Sequence, residues 1–465
     1  MSGQCSCRHD FQFAQSFFIF LGFFFRGSFV QHPPKGAFMK IAIIGSGISG
    51  LTSAYYLSKL VDQVDLYEAK SYFGGHTNTV DVTDSEEGLI PVDTGFIVFN
   101  DRTYPNFIRL LGELGVSYQP SEMSFGIKHE PSGLEFRGAN LGGLFAQRKR
   151  IFSIPHIRFL YEIYRFNKVA GRVRKNVPHE MTIEQFFRKY SFRRDLLEYF
   201  FLPMGAAIWS TSCERFMTFP VRFVLDFYAH HGLLSINDRP QWFTISNGSR
   251  SYVERLMEGS STNFHLDSPV SVIRRSAGGK VVIQVEGRQE LEYDHVVVAT
   301  HTDQALRMLE NPIPVEREIL NSFRYESNLA ILHTDTSILP KTKHAWASWN
   351  YLLEHEKETK ASVTYWMNKL QSIHTRTQYL VTLNAEHKVD PRKIIRKIQY
   401  AHPQFDEGKY ATSQRHGELI NLDGISYCGA YWGAGFHEDG VRSSLKAVNG
   451  LLGETAVSIL ENKNA

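Results

Sequence analysis

Cysteine is scarce in this chain, with four in 465 residues, two of them in the first seven. That excludes a disulfide framework and points to a reducing compartment, so the chain is expected in the cytoplasm. An excess of one charge sign is lacking too. Lys and Arg number 51 against 48 Asp and Glu, a net charge of +3, which leaves no electrostatic footprint for nucleic acid. Nor is there a long hydrophobic run. The apolar stretch Phe17 to Phe25, inside "FQFAQSFFIFLGFFFRGSFV", is too short to span a bilayer. Arg8 before it and Gly36-Ala37 after it have the flavour of a secretory leader, but no twin-arginine pair and no A-x-A site accompany them. Met39 is therefore the expected natural start. Residues 1–38 are read as an N-terminal extension outside the fold, with a membrane-touching tail as the other reading. No internal repeat or low-complexity tract follows residue 39.

What the chain does hold is enough apolar material for more than one core. Hydrophobic residues make up 43% and charged residues 21%, a globular balance, and the length suits two intertwined or consecutive domains. Aromatics reach 13%, with 34 Phe, which serves a core and also suits a large apolar cavity. The most informative stretch is "MKIAIIGSGISGLTSAYYLSK". Lys40 to Ile44 is a β-branched run of the kind that forms a buried parallel strand, and Leu51 onward continues as a helix with one apolar face. Between them Gly45, Gly47 and Gly50 give G-x-G-x-x-G. This spacing allows a sharp turn, a close approach to a pyrophosphate and tight helix–strand packing. The helix N-terminus adds unpaired N–H groups and partial positive charge. A second strand, "QVDLYEA", ends in Glu68, placed to accept hydrogen bonds from a ribose 2′-hydroxyl and to disfavour a 2′-phosphate. A Gly-rich turn with no ligand is the plain alternative. The ordered strand, glycines, helix, strand and acid favour a dinucleotide.

Further along, Gly74-Gly75-His76 is a second place where backbone can lie flat against a ligand. The order of patterns predicts a dinucleotide domain split over residues 39–103, 242–303 and 422–465. Between its pieces lie a mostly helical segment, 104–241, and a sheet-bearing segment, 304–421, of an α+β substrate domain. "PVSVIRR", "KVVIQVE" and "ELEYDHVVVAT" read as a meander that ends in a buried strand. "LAILHTD", "ASVTYWMNKL" and "QYLVTLN" read as the floor of the substrate domain, and a long helix is expected from about Glu438. The fold class is thus α/β, a Rossmann-type dinucleotide-binding domain with an inserted α+β substrate domain.

This order, together with "FGGHTNTVDV", "VDTGFIVFNDRTYPNF", "SEMSFG", "AAIWSTS", "HHGLL", "NGSRSYVERL", "VTYWMNKLQ" and "GFHEDGVRSS", resembles the amine-oxidase-like FAD-dependent oxidoreductases. Phytoene desaturases and protoporphyrinogen oxidase belong to the same broad group. More narrowly it is similar to bacterial proteins described only as predicted NAD/FAD-binding. The resemblance covers nearly everything from residue 39 on and implies non-covalent FAD, held by a Rossmann-type FAD-binding domain of the two-dinucleotide-binding flavoprotein type with an inserted α+β substrate domain. Gly45, Ser46, Gly47, Ile48, Ser49 and Gly50 would surround the pyrophosphate, with Glu68 on the ribose. Gly74, Gly75 and His76 match a G-G-R position, where Arg is usual, so whether residue 76 brings charge to the phosphate stays open. Val270 and Val272 stand where a backbone strand meets the adenine, and Gly429 ends the last strand. Phe436, His437, Glu438 and Asp439 match the turn into the final helix, whose N–H groups would meet the flavin C2 carbonyl. Phe436 and His437 are the catalytic candidates. Phe436 occupies the place of an aromatic-cage wall, keeping a π-face without a hydroxyl.

Other residues carry plainer readings. Cys428 reads as a packed core thiol, and His230-His231 as groove-lining, because no third ligand stands at metal spacing. Arg239, Trp242 and Trp209 divide evenly between channel and packing. Asn247-Gly248-Ser249 takes the place of a glycine pair, and Asn tolerates a positive φ. No second G-x-G-x-x-G follows a strand, so the electron acceptor is expected to be oxygen or a diffusible carrier. The expected function is removal of a hydride from a small apolar substrate, such as a lipid acyl chain. A non-redox isomerase or mutase, an amine oxidase proper, and a scaffold that delivers a partner to lipid are the alternatives. The resemblance further implies partnership with a fatty-acyl methyltransferase and contact with a membrane surface or lipid. It leaves the oligomeric state undefined.

Overall fold

The computed structural model describes residues 38–138, 141–209, 211–234, 239–355, 362–404, 407–453 and 456. The extension expected at 1–38 lies outside them but for Phe38. Five parallel strands form the central sheet in the spatial order Asn263–His265, Gln63–Tyr67, Lys40–Ile44, His295–Val298 and Ile425–Tyr427. Numbered along the chain this is the order 3-2-1-4-5 of a dinucleotide-binding sheet. Both faces are covered, and the sequence shows why. Ile41 and Ile43 enter one apolar cluster with the helices Ile48–Leu57 and His437–Leu452. Ala42 and Ile44 enter another with the antiparallel meander Val270–Arg275, Val281–Val285 and Leu291–Tyr293. A two-residue side-chain period on a strand buried from both sides reads as the continuous apolar run "IAII".

The second sheet has seven strands. In order these are Ile394–Pro403, Tyr325–His333, Leu380–Leu383, Ser362–Trp366, Trp349–Leu353, Phe125–His129 and Leu134–Arg137. All neighbours are antiparallel except Trp349–Leu353 beside Phe125–His129. Helices between Ile154 and His230 build a separate, aromatic-rich cluster around Phe166, Phe186, Phe201, Trp209 and Phe227. Trp209 is fully packed there, stacked on Phe216, so it belongs to packing and not to a channel.

The segment 104–241 is mostly helical as expected and also contributes strands, Phe125–His129 and Leu134–Arg137, which pair at the edge of the seven-stranded sheet. The strands Trp349–Leu353 and Ile394–Pro403 are additions to the expected floor. The helices Thr302–Met308 and Pro314–Asn321, placed by the sequence in the substrate domain, pack instead with the meander, through Ala305, Ile319 and Leu320. The change of domain thus falls near Phe323, beyond the expected residue 304. No helix among the described residues is long and apolar enough to cross a membrane.

Buried neutral histidines tie these layers together. His333 accepts the Asp335 amide at Nδ1 (3.0 Å) and faces Thr382 Oγ1 through Nε2 (2.7 Å), an arrangement that requires the neutral ring. His295 Nε2 lies 2.9 Å from Ser426 Oγ, and His416 Nε2 donates to the Tyr427 carbonyl. Burial pushes His333 down to about 4 and His295 and His416 down to about 3. Below the ordinary histidine value of about 6.5 the unfolded chain takes up protons that the folded chain refuses, so stability falls as pH falls. Each such histidine removes at most about 1.4 kcal/mol per pH unit in that window. Denaturant midpoints should therefore be level above pH 7 and drop steadily between pH about 6.5 and about 4.5. A level midpoint across that window would contradict the neutral, buried assignment.

Candidate active site

The central strand Lys40–Ile44 lies where the strand order reverses, and a ligand crevice opens at the carboxyl ends of such strands. Gly45 leaves the strand at φ +98°, and Gly47 starts the helix Ile48–Leu57 with no side chain capping the first-turn N–H groups. The helix presses on the turn so closely that a Cβ on Gly50 would stand 1.9 Å from the Gly45 carbonyl oxygen. Gly74 donates to the Ser46 carbonyl (3.1 Å) and bridges Gly47. A Cβ on Gly75 would stand 3.0 Å from the Gly47 Cα. The two glycine turns therefore lie backbone on backbone. A third segment, Ala299-Thr300, closes against Gly45, with the Ala299 amide on Ile44. The final helix completes the wall. Ser49 Oγ donates to the Gly440 carbonyl (3.1 Å), and the Gly429 amide donates to Ser443 Oγ (2.9 Å).

Glu68 ties this assembly. One carboxylate oxygen accepts from Ser46 N (2.9 Å) and Ser46 Oγ (2.6 Å), and the other from Lys70 N (2.9 Å). Ser46 is fully buried, so its hydroxyl fastens the loop and is not offered to a ligand. A carboxylate has about four acceptor positions, and three are filled. One remains for a ribose hydroxyl. The Glu68 carbonyl accepts the Ser268 amide (2.9 Å), which brings the start of the strand Val270–Arg275 beside it. That strand bulges between Val270 and Val272.

A dinucleotide pyrophosphate fits this surface. The space a Cβ would fill on Gly47 is open, with nothing within 4 Å, directly over the uncapped helix start. His76 follows the second turn, half-buried, with its Nε2 enclosed. It stacks on Tyr400 at 4.9 Å between ring centroids, and His402 and His301 lie at 5.3 and 6.1 Å. Among the described residues its Nε2 has no hydrogen-bond partner. Loss of solvent and its neighbours His402 and His301 hold His76 well below its ordinary value, and His301 and His402 are both pushed down to about 4. The imidazole at this turn is thus neutral. The positive field at this turn comes from helix N-termini instead.

At the final turn, structure and expectation part. The imidazole of His437 is packed inside. It stacks on Phe96 at 3.5 Å, its Nε2 lies 3.0 Å from both Thr77 Oγ1 and Tyr252 OH, and burial pushes it down to about 3. It is a structural neutral ring. Its candidacy as an acid or base falls, and only its main chain remains available. The Glu438 carboxylate is engaged elsewhere, capping the helix Pro105–Glu113 through Asn106 N, Asn106 Nδ2 (2.6 Å) and Phe107 N (3.0 Å). Asp439 accepts from Phe436 N (3.1 Å) and Arg442.

Phe436 is half-buried and stacks on Phe227 at 5.3 Å. Phe227 stacks on His231 at 3.8 Å, and His231 in turn lies 6.2 Å from Trp242. His231 is pushed down to about 4 by burial, while His230 points outward and Arg239 is exposed. The two adjacent histidines therefore do not act as a pair, and no cluster of metal-ligating residues exists among the described residues. Cys428 is a buried thiol pushed up to about 12, in the core as read. Asp93 carries no signal in the sequence, yet it matters here. Its buried carboxylate accepts from Thr79 Oγ1, Ser249 N, Ser249 Oγ and Gln371 Nε2, and so braces the Asn247-Gly248-Ser249 turn, where Asn247 has φ +62°.

The sequence profile of the flavin containing amine oxidoreductases matches residues 48–400. The chain belongs to that family. Its cofactor is FAD and it is an FAD-dependent oxidoreductase. Solved structures share the fold of this flavoprotein. A putrescine oxidase variant aligns with TM-score 0.64 and 14% identity over 90% of this chain and 100% of its own. A CLA-producing fatty acid isomerase from P. acnes gives 0.63 and 14% over 87% and 97%. Cyclohexylamine oxidase from Brevibacterium oxydans gives 0.62 and 16% over 90% and 99%. No curated protein matches.

Replacing Glu68 with Ala in this flavoprotein removes the free acceptor position, the one expected to meet a ribose, and loosens Ser46 at once. FAD affinity, read by fluorescence titration, should fall about ten- to a hundred-fold, with turnover per bound flavin little changed. Unchanged affinity would place the ribose elsewhere.

Proposed function

We propose that this flavoprotein oxidises a long apolar substrate, of the lipid acyl class, with oxygen or a diffusible carrier as electron acceptor. The observation that carries the reading is the wall of Phe436, Phe227, His231 and Trp242, in which the one titratable ring is held neutral. Such a wall rewards apolar area and offers no counter-charge to an ammonium group. The FAD would be held non-covalently. Gly45 to Gly50 and Gly74-Gly75-His76 are assigned to the pyrophosphate, Glu68 to the ribose and Val270 and Val272 to the adenine. Gly429 and the main chain at His437, Glu438 and Asp439 are assigned to the flavin. When bound, FAD supplies the redox chemistry. The chain's own part is to orient the substrate against Phe436, to exclude water with the aromatic wall, and to present the N-terminal end of the final helix. Buried free thiols at Cys213 and Cys428 suit the cytoplasmic setting proposed here. A working partnership with a fatty-acyl methyltransferase belongs to the same reading.

A second reading is an isomerisation without net redox change, favoured by the fold shared with the fatty acid isomerase. Anaerobic titration of the FAD-loaded protein separates the two. Acyl lipids should bleach the flavin in proportion to the amount added, and small amines should not. Product without net bleaching would return the isomerase, and bleaching by amines alone would return an amine oxidase. Phe436→Ala should lower kcat/KM about two- to ten-fold while leaving flavin content intact, since one aromatic contact is worth about 0.5–1.5 kcal/mol. Wild-type kinetics in that variant would remove Phe436 from the substrate path.

A further inference from the structure

Six of the eleven large apolar side chains that stand exposed among the described residues fall between Ile151 and Tyr164. Phe152 is 89% exposed and Ile154 63%, with Ile151, Ile157, Tyr161 and Tyr164 beside them. From Ile154 to Val173 this segment is one helix, capped by Ser153 and seated by its other face, where His156, Phe159, Glu162, Phe166 and Ala170 are buried. Ile154, Ile157, Tyr161 and Tyr164 recur at three- and four-residue spacing, so they form a single outward ridge about 15 Å long.

The exposed charge carried by this segment has one sign. Arg148, Lys149, Arg158, Lys168, Arg172 and Lys175 are exposed on the same segment, and none has an ion-pair partner among the described residues. The segment's one acid, Glu162, is buried and held by Arg165 and the Arg193 amide. An apolar ridge with aromatic hydroxyls, bounded at both ends by cations, has the form of an interfacial helix. A second copy of this chain docking by the same face would set these cations against each other.

We propose that the helix Ile154–Val173, with the preceding Arg148–Phe152 turn, docks this protein on the surface of an anionic lipid bilayer. The docking stands on exposure and charge alone. Its purpose rests on the apolar-substrate reading above: the helical cluster that seats Phe166 also holds Phe227 and packs on Phe436, so docking would bring the aromatic wall to a substrate dissolved in lipid.

Flotation of the full-length, FAD-loaded protein with vesicles tests this. Wild type should float with phosphatidylcholine–phosphatidylglycerol vesicles, less so at high salt, and weakly with phosphatidylcholine alone. Phe152→Ser with Ile154→Ser and Ile157→Ser should abolish flotation. Lys149→Glu with Lys168→Glu and Arg172→Glu should weaken it by about five-fold or more for each cation lost. Both sets should keep wild-type flavin spectra and denaturation midpoints. Failure of wild type to bind anionic vesicles would overturn the proposal. So would variants that bind like wild type, which would put the anchor elsewhere, or a serine variant that changes oligomeric state but not flotation. Flavin bleaching by lipid is read separately, so the substrate reading can fail while docking stands.

Discussion

The Glu68 carboxylate is the contact on which the site depends. It holds the first glycine turn through Ser46, the end of its own strand through Lys70, and leaves one acceptor position toward the crevice. The second glycine turn is fixed to the same Ser46. Two glycine turns and the end of its own strand, all within residues 45–75, are therefore positioned by one acid. Close backbone contact denies side chains at both turns: Gly50 presses on the Gly45 carbonyl within the first, and Gly75 on Gly47 between the two.

Neutrality is the second theme. His76, His301, His402, His231 and His437 are all kept uncharged by loss of solvent. In the proposed reading a phosphate is met by helix dipoles and amides and a substrate by rings, while exposed cations line the helix Ile154–Val173.

Much of this was legible where cause and effect lie close in sequence. The strand, the glycine turn, the helix and Glu68 occupy one βαβ unit, and each constrains its neighbour. The role of His437 was not legible, because Phe96, Thr77 and Tyr252 reach it from far along the chain. The strand Ile394–Pro403 hid because its edge position leaves Ile395, Arg396 and Lys397 exposed and blurs alternation. The helix around Tyr161 showed its aromatics and cations in the sequence, but which of them faced outward was fixed only by packing.

The central claim is that the crevice over Gly47 holds the ADP half of FAD. Competition against bound FAD tests it directly. ADP should displace FAD from the protein, and FMN, which lacks that half, should not. Displacement by FMN with no effect of ADP would contradict the account.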